Sequence, residues 1–261
     1  MKSSILFLLL LLLAGVPAIG QNDFKVIKVN GTIMLRQRGI SLETGTVFSD
    51  KEDLLFRSED ATAAVINAQR GRMVITNKNH DLASARSNYL PSMYNISSRG
   101  GSLSQKSDLS NRFSGKYVVF DREGIQIDDA TFPMDQDHFF FLRYLYRGEE
   151  INKKLGYAGD TLIIDKKALF TVDGKPIPAA NNTSIKLYYK NGNESLFISQ
   201  FDLIFPDMEK LAKETAIILG EVKEKSSVEK LNEVGSYITD FYGKISPASL
   251  SVWLNQKFGI K

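Results

Sequence analysis

Short β-favouring runs separated by turn residues occupy residues 24–76, and this pattern constrains the fold more than any other feature of the chain. Runs rich in Val, Ile, Leu and Phe alternate there with Gly, Asn and Asp, as expected for antiparallel strands joined by tight turns. Asn30-Gly31 lies between two apolar runs and predicts a type I′ hairpin turn, because both residues accept a positive φ. Residues 62–67 and 72–76 predict a second hairpin. We therefore predict a small antiparallel β-domain over residues 21–76.

A regular spacing of glycine and apolar residues runs through this stretch. Its positions are Val29, Gly31, Ile33, Gly39, Leu42, Gly45, Phe48 and residues 61–66. In this order they resemble the FecR-type domain of bacterial envelope proteins, where a V-x-G-x-V strand pair precedes a G-x-x-L-x-x-G-x-x-[hydrophobic] turn and an alanine-bearing strand. The resemblance implies a β-domain that works outside the cytoplasm and makes protein–protein contacts. Signalling FecR proteins carry an anti-sigma segment and a membrane span before this domain; neither is visible here, so signalling across a membrane is not expected.

The first twenty residues have the parts of a cleaved export signal. Lys2 provides a positive start, and residues 5–13 form an unbroken apolar run. Small residues ending in Gly20 then precede Gln21, as at a signal-peptidase site. The apolar run is shorter than the ~20 residues that a transmembrane helix needs. We therefore predict a signal peptide at residues 1–20, cleaved near Gly20-Gln21, and a protein exported to the periplasm or the extracellular space.

The amino-acid composition indicates the compartment in which the protein works and the class of partner it binds. The chain has no cysteine and must rely on burial alone, which for an exported protein favours a bacterial envelope over a eukaryotic secretory route. Its 33 basic and 30 acidic residues nearly cancel, to a formal charge of +3. Nucleic-acid-binding proteins concentrate basic residues on one face, so no nucleic-acid partner is predicted. No segment after the export signal is apolar enough to span a membrane, and we expect another envelope protein as the partner.

Composition shifts after residue 76, and the β pattern returns at residue 116. Residues 77–115 are rich in Ser, Asn, Arg and Gly and predict a flexible linker. Residues 116–205 contain several short apolar runs bounded by turn signals, which predict a second antiparallel domain, either a sandwich or an open barrel. Within it, residues 121–124 are predicted as the loop of one hairpin and Asn191-Gly192 as the type I′ turn of another.

Residues 139–146 are rich in aromatic residues and long enough for a central strand. Aromatic rings most often supply the core of a sheet, where their burial stabilises the fold. They can also line a groove for carbohydrate or peptide, and the sequence leaves both roles open.

The apolar period changes to that of a helix after residue 205. Residues 206–261 predict three amphipathic helices packed on the second β-domain. Each apolar stripe must be buried, either against the β-domain or in contact with a partner. Capping signals mark the second and third helices: Ser226 with Glu229, then Ser246, Pro247 and Gly259.

Few residues in the sequence are candidates for a catalytic or metal-binding site. The two histidines are His80, in the predicted linker, and His138, which follows Asp135 and Asp137. This acidic run is the one place where an acid–base or metal site could begin, but a strand points Asp137 and His138 to opposite faces, and no zinc-ligand spacing accompanies them. The chain has no nucleophile elbow, no thiol and no phosphate-binding or dinucleotide-binding loop. We predict no catalytic residue, metal site or cofactor, and we keep four candidate ligand-binding residues: Asp135, Asp137, His138 and Trp253.

Two functions of different classes fit these observations. The first is an exported, non-enzymatic envelope protein whose β-domains act as a protein–protein interaction or structural module. The alternative is a carboxylate-dependent hydrolase or lyase whose site is assembled by the fold near Asp135, Asp137 and His138. A deep pocket holding two or more carboxylates with His138 would favour the enzyme, and a shallow apolar groove would favour the binding module.

Overall fold

The computed structural model describes residues 23–78, 102–172, 174–178 and 184–261. The predicted signal peptide and His80 lie outside these residues. Antiparallel sheets precede a helical C-terminal part, so the predicted α+β class is confirmed. The described chain forms two compact units: the first contains residues 23–78 together with Ala216–Val222, and the second contains the remaining described residues.

The first unit consists of two small antiparallel sheets around an apolar core. Its strands are β1 (Asp23–Asn30), β2 (Ile33–Leu35), β3 (Ile40–Ser41), β4 (Val47–Ser49), β5 (Leu54–Phe56), β6 (Thr62–Asn67) and β7 (Gly71–Thr76). The strand order is β4-β1-β6-β7 in one sheet and β3-β2-β5 in the other. Phe24, Val26 and Val65 are fully buried in the core, on the inner face that the alternation of side chains along a strand defines.

The predicted hairpin at Asn30-Gly31 is wrong, whereas the hairpin of β6 and β7 is confirmed. The strand before Asn30 pairs with β4 and β6, and the strand after Gly31 pairs with β3 and β5, so the two never pair with each other. Gly31 has a φ of 74°, and a Cβ there would lie 2.9 Å from Ser58 Oγ and 3.0 Å from Ala61 Cβ. Glycine is required here because another segment passes close to the backbone, not because of a two-residue turn.

The second unit contains a six-stranded sheet and a three-stranded sheet whose inner faces share one apolar core. Its strands are β8 (Gly115–Val118), β9 (Arg122–Gln126), β10 (His138–Tyr146), β11 (Glu149–Lys154), β12 (Gly156–Ala158), β13 (Thr161–Asp165), β14 (Thr171–Val172), β15 (Lys175–Pro176), β16 (Ile185–Asn191), β17 (Glu194–Ile204) and β18 (Lys244–Ile245). The strand orders are β11-β10-β16-β17-β8-β18 and β12-β13-β9. Unlike the antiparallel sheet expected, the larger sheet pairs β8 with β17 and with β18 in parallel. Parallel strands need a long connection, which the wide separation of these strands in the chain provides.

The two loops predicted in this unit have different outcomes. Residues 121–124 do not form a hairpin loop, because β8 and β9 belong to different sheets. The hairpin at residues 191–192 is confirmed in its strands, but Asn191 pairs with Glu194, so the loop is Gly192-Asn193. Of these two loop residues only Gly192 has a positive φ, 57°, which is the pattern of a type II′ turn rather than the predicted type I′.

The predicted linker over residues 77–115 ends earlier than expected. Residues 102–115 include helix α1 (Lys106–Arg112), and residues 79–101 lie outside the described chain. Leu109 and Phe113 are fully buried in the core of the second unit. They lie four residues apart, one helical turn, so they share a face. Because the residues around this pair are polar, the sequence of the segment shows no apolar pattern that would predict a buried helix.

The remaining helices are α2 (Lys166–Leu169), α3 (Met208–Glu221), α4 (Ser227–Phe241) and α5 (Pro247–Phe258). The predicted capping box of α4 is confirmed: Ser226 Oγ accepts the Glu229 N–H at 3.3 Å, and Glu229 Oε2 accepts the Ser226 N–H at 3.0 Å. The caps of α5 are also confirmed, with Ser246 before its start and Gly259, at a φ of 69°, after its end. The tail is not purely helical, because β18 lies between α4 and α5 and joins the larger sheet.

Candidate functional site

The acidic run before β10 folds into a turn that satisfies its own polar groups. One carboxylate oxygen of Asp135 accepts the backbone N–H of Asp137 at 2.8 Å and of His138 at 2.7 Å. Both carboxylate oxygens also lie 2.9 Å from His138 Nδ1. The hydrogen bond from His138, followed by the two backbone donors, holds the pKa of Asp135 below its usual range.

Of the two aspartates in this turn, Asp135 is the one whose carboxylate contacts His138. Asp137 contributes its backbone, accepting the Gly192 N–H on its carbonyl at 3.1 Å, and its carboxylate makes no hydrogen bond to His138. Within the described ranges, no cluster of three or more His, Asp or Glu residues could hold a metal ion. The run forms a turn that leads the chain into β10.

The aromatic strand β10 carries rings on both faces of its sheet. Phe140, Leu142 and Tyr144 point into the core of the second unit. Side chains alternate between the faces of a strand, so Phe139 and Phe141 lie on the opposite face of the sheet. The sheet therefore carries aromatic rings on its outer side as well as in its core.

Four aromatic rings form a continuous ladder across this outer side, from β10 through β16 to β17. The ring centroids of Phe139 and Phe141 are 6.3 Å apart, those of Phe141 and Tyr188 are 5.1 Å apart, and those of Tyr188 and Phe197 are 5.5 Å apart. Phe141 and Tyr188 are directly opposite in register and stack with an interplanar angle of 9°. Phe197 is 43% exposed, Tyr188 and Phe139 are partly exposed, and Phe141 is 8% exposed.

Basic side chains surround this ladder. Arg143 lies over the Tyr188 ring, 5.0 Å from its centroid, and Lys154 lies over the Phe139 ring at 4.0 Å. Such contacts between a cation and a ring face are attractive. Lys186 and Lys190 flank Tyr188 on the same face of β16, two residues to either side. We call these eight residues the aromatic face: Phe139, Phe141, Tyr188, Phe197, Arg143, Lys154, Lys186 and Lys190.

The aromatic face carries an excess of positive charge. Its one ion pair within the described chain joins Arg143 to Glu150, which lies 3.9 Å away. Lys154 donates a hydrogen bond to the backbone carbonyl of Asp135 at 3.3 Å, and it forms no ion pair with any described residue. Four basic side chains and one carboxylate leave a surface that is both aromatic and cationic.

Trp253, the fourth candidate residue, lies in an open cleft of about 410 Å³ within the second unit. Its ring centroid is 5.1 Å from that of Phe120 and 5.5 Å from that of Phe258. Met208 and Val252 add apolar walls to the cleft. These contacts pack α5 against the segment that follows β8, so the geometry gives Trp253 a packing role.

A buried polar cluster lies beside this cleft, at residues that the sequence did not single out. Glu123 Oε1 accepts hydrogen bonds from Arg112 Nη2 and from the Tyr117 hydroxyl, each at 2.8 Å. Burial raises the pKa of Glu123, and the contacts with Arg112 and Tyr117 offset only part of that effect. Burial also raises the pKa of Tyr117. Because its three groups bond to one another, the cluster ties α1 to β8 and β9.

The partners of β10 in the aromatic face could have been found from the hairpin signal. Tyr188 and Phe197 lie at equal distances from the Gly192-Asn193 loop and are direct partners in the register. The predicted loop, Asn191-Gly192, would have placed Tyr188 opposite Ser195, with Phe197 on the same face two residues further along, so the hairpin signal predicts the shared face but not the direct pairing. Lys154 and Arg143 have no comparable signal, because their places depend on how β10 pairs with its neighbours.

No protein-family model, curated protein or solved structure matches the chain. The part of the chain that the structure describes contains no helix long and apolar enough to cross a membrane.

Proposed function

We propose that the protein is a non-enzymatic binding module of the bacterial cell envelope that docks a protein partner on the aromatic face. The observation that carries this proposal is the ladder of four rings, three of them at least partly exposed, on the side of the sheet opposite the core. Isolated exposed apolar residues are common on protein surfaces, whereas contiguous exposed patches mark interaction sites. The ladder is contiguous, since each ring contacts the next.

The residue types of this face are those that dominate binding energy at protein interfaces. Tyrosine and arginine are enriched among such hot spots, and they cluster at the centre of a patch. In the aromatic face, Arg143 lies on Tyr188 and Phe197 contacts the same ring. Because neighbouring side chains hold these rings in place, little rotamer entropy is lost when a partner docks.

The proposed location rests on the sequence. An export signal at residues 1–20, the absence of cysteine and the resemblance of residues 21–76 to FecR-type domains all favour the periplasm or the cell surface of a bacterium. FecR-type domains make protein–protein contacts, which agrees with an interaction role for this chain.

Site-specific photo-crosslinking in the producing bacterium tests the proposed surface. A photoreactive phenylalanine analogue replaces Phe197 in one variant and Ile40, an apolar residue 45% exposed in the first unit, in a control variant. We expect a discrete crosslinked protein with the probe at position 197 and none with the probe at position 40. Equal labelling at the two positions, or no labelling at position 197, would show that the aromatic face is not the docking surface.

A further inference from the structure

We infer that the partner segment that docks on the aromatic face is an extended, acidic stretch of polypeptide. This inference rests on the proposed function, and it adds the chemistry of the partner. Complementary charge across an interface steers association and selects the partner. A face with four cations and one carboxylate therefore selects negative charge, and its rings select apolar side chains beside that charge.

The spacing of the free lysines sets a pattern for such a segment. Lys186, Tyr188 and Lys190 lie at every second position of β16, on one face. Neither lysine forms an ion pair with a described residue, and they are separated by about 13 Å along the strand. An extended segment has the same rise, so acidic residues four positions apart match the two lysines. The residue midway between them then lies over Tyr188, and an apolar side chain fits there.

The arrangement of the rings argues against a sugar as the occupant. Stacking on a sugar requires an open ring face. The Tyr188 ring is stacked on Phe141 and lies beneath Arg143, and the Phe139 ring lies beneath Lys154. These contacts partly cover the ring faces of Tyr188 and Phe139 and leave Phe197 as the most exposed ring of the aromatic face. The cations that cover them suit carboxylates rather than a neutral sugar.

Neither a second copy of this chain nor its own residues 79–101 suits the aromatic face as an occupant. A second copy docked face to face would place its four cations against the same four cations, and like charges across an interface cost several kcal/mol. Residues 79–101 carry one carboxylate, Asp81, and two arginines, so they lack the required charge. A separate acidic protein remains as the partner that fits.

Peptide binding to the full mature protein tests the pattern directly. Three synthetic peptides share neutral flanks and differ in a central segment: Glu-Ser-Phe-Ser-Glu, Lys-Ser-Phe-Ser-Lys and Glu-Ser-Ser-Ser-Glu. We expect the first to bind most tightly, to weaken as salt rises because its charges are screened, and to shift the amide resonances of β16. Equal binding of the lysine peptide would overturn the inference of charge, and equal binding of the phenylalanine-free peptide would overturn the inference of an apolar centre.

A matched pair of charge variants tests whether the acidic peptide binds at Lys186 and Lys190. Changing Lys186→Glu together with Lys190→Glu should weaken the acidic peptide by about tenfold or more, as expected when close charge complementarity is reversed. The control, Lys210→Glu with Lys223→Glu, makes the same change in net charge at lysines whose side chains are 76% and 75% exposed elsewhere. Equal weakening in both variants would show a general charge effect and would overturn the inference. Melting curves of both variants confirm that each is folded.

The same variants separate this inference from the proposed function. If the Lys186/Lys190 variant retains the photo-crosslink at position 197, the face binds a partner but that partner is not acidic. If the crosslink is absent from the unaltered protein, the proposed function fails first. Dextran sulfate and anionic vesicles serve as non-peptide probes, and binding as strong as that of the acidic peptide, with the same dependence on the two lysines, would overturn a polypeptide partner.

Discussion

Replacing Leu109 with alanine tests whether residues 102–115 are packed into the core of the second unit or form a linker. Leu109 is 0% exposed, and it lies in one cluster with Phe113, whose ring centroid is 5.2 Å from that of Phe201 in the larger sheet. Removing a fully buried leucine side chain loses its transfer free energy and leaves a cavity, together about 3 kcal/mol. In a unit of this size, that loss lowers the melting temperature by roughly 6–12 °C.

Urea unfolding, followed by the fluorescence of Trp253 in the same unit, measures this loss. Ser107→Ala is the matched control, because Ser107 is an exposed residue of the same short helix. We expect the free energy of unfolding to change by less than about 0.5 kcal/mol in the control, as for most surface substitutions. If Leu109→Ala loses no more stability than Ser107→Ala, residues 102–115 behave as a linker and the reasoning is refuted.

Three further predictions concern the candidate residues and the export signal. Trp253→Ala should lower the free energy of unfolding by about 2 kcal/mol, because the Trp253 ring packs on Phe120. Unfolding followed by circular dichroism measures this loss. An unchanged stability would instead favour a role for Trp253 in docking a partner. His138→Ala should raise the pKa of Asp135 towards its usual value in a carboxyl NMR titration, because the ring supplies the largest lowering effect. Since this folded-state pKa is lowered, the stability gained from Asp135 is present above its unfolded pKa and is lost as the pH falls through the folded value. Mass spectrometry of the envelope fraction should find a mature N terminus at or near Gln21, and retention of the first twenty residues would contradict export by a cleaved signal.

Local features of the fold could be predicted from the sequence because they depend on neighbouring residues. The capping box of Ser226 and Glu229 needs only a hydroxyl and a carboxylate three residues apart. The strands of the hairpin at residues 191–192 could be found because a glycine-bearing pair between two apolar runs favours a tight turn. Such features hold wherever the segment lies in the fold.

The pairing of strands could not be predicted, because it depends on distant segments. Asn30-Gly31 has the composition of a hairpin turn, but the strands on either side of it find better partners in different sheets. The two residues of β18 have no apolar run of their own, and they are a strand only because β8 offers an open edge. Leu109 and Phe113 were missed for a different reason, since a single apolar pair in a polar segment gives no periodic pattern.

The aromatic ladder has two effects that must be separated before binding can be assigned to it. Cross-strand aromatic pairs stabilise a sheet by roughly 0.2–1 kcal/mol each, so the stack of Phe141 on Tyr188 would help the fold even without a partner. Lys186 and Lys190 differ in this respect, because they form no ion pair within the described chain and their like charges repel weakly. Substituting the rings therefore changes stability and binding together, whereas substituting the two lysines changes binding with little effect on stability. For this reason the lysines, rather than the more conspicuous rings, give the decisive test of the aromatic face.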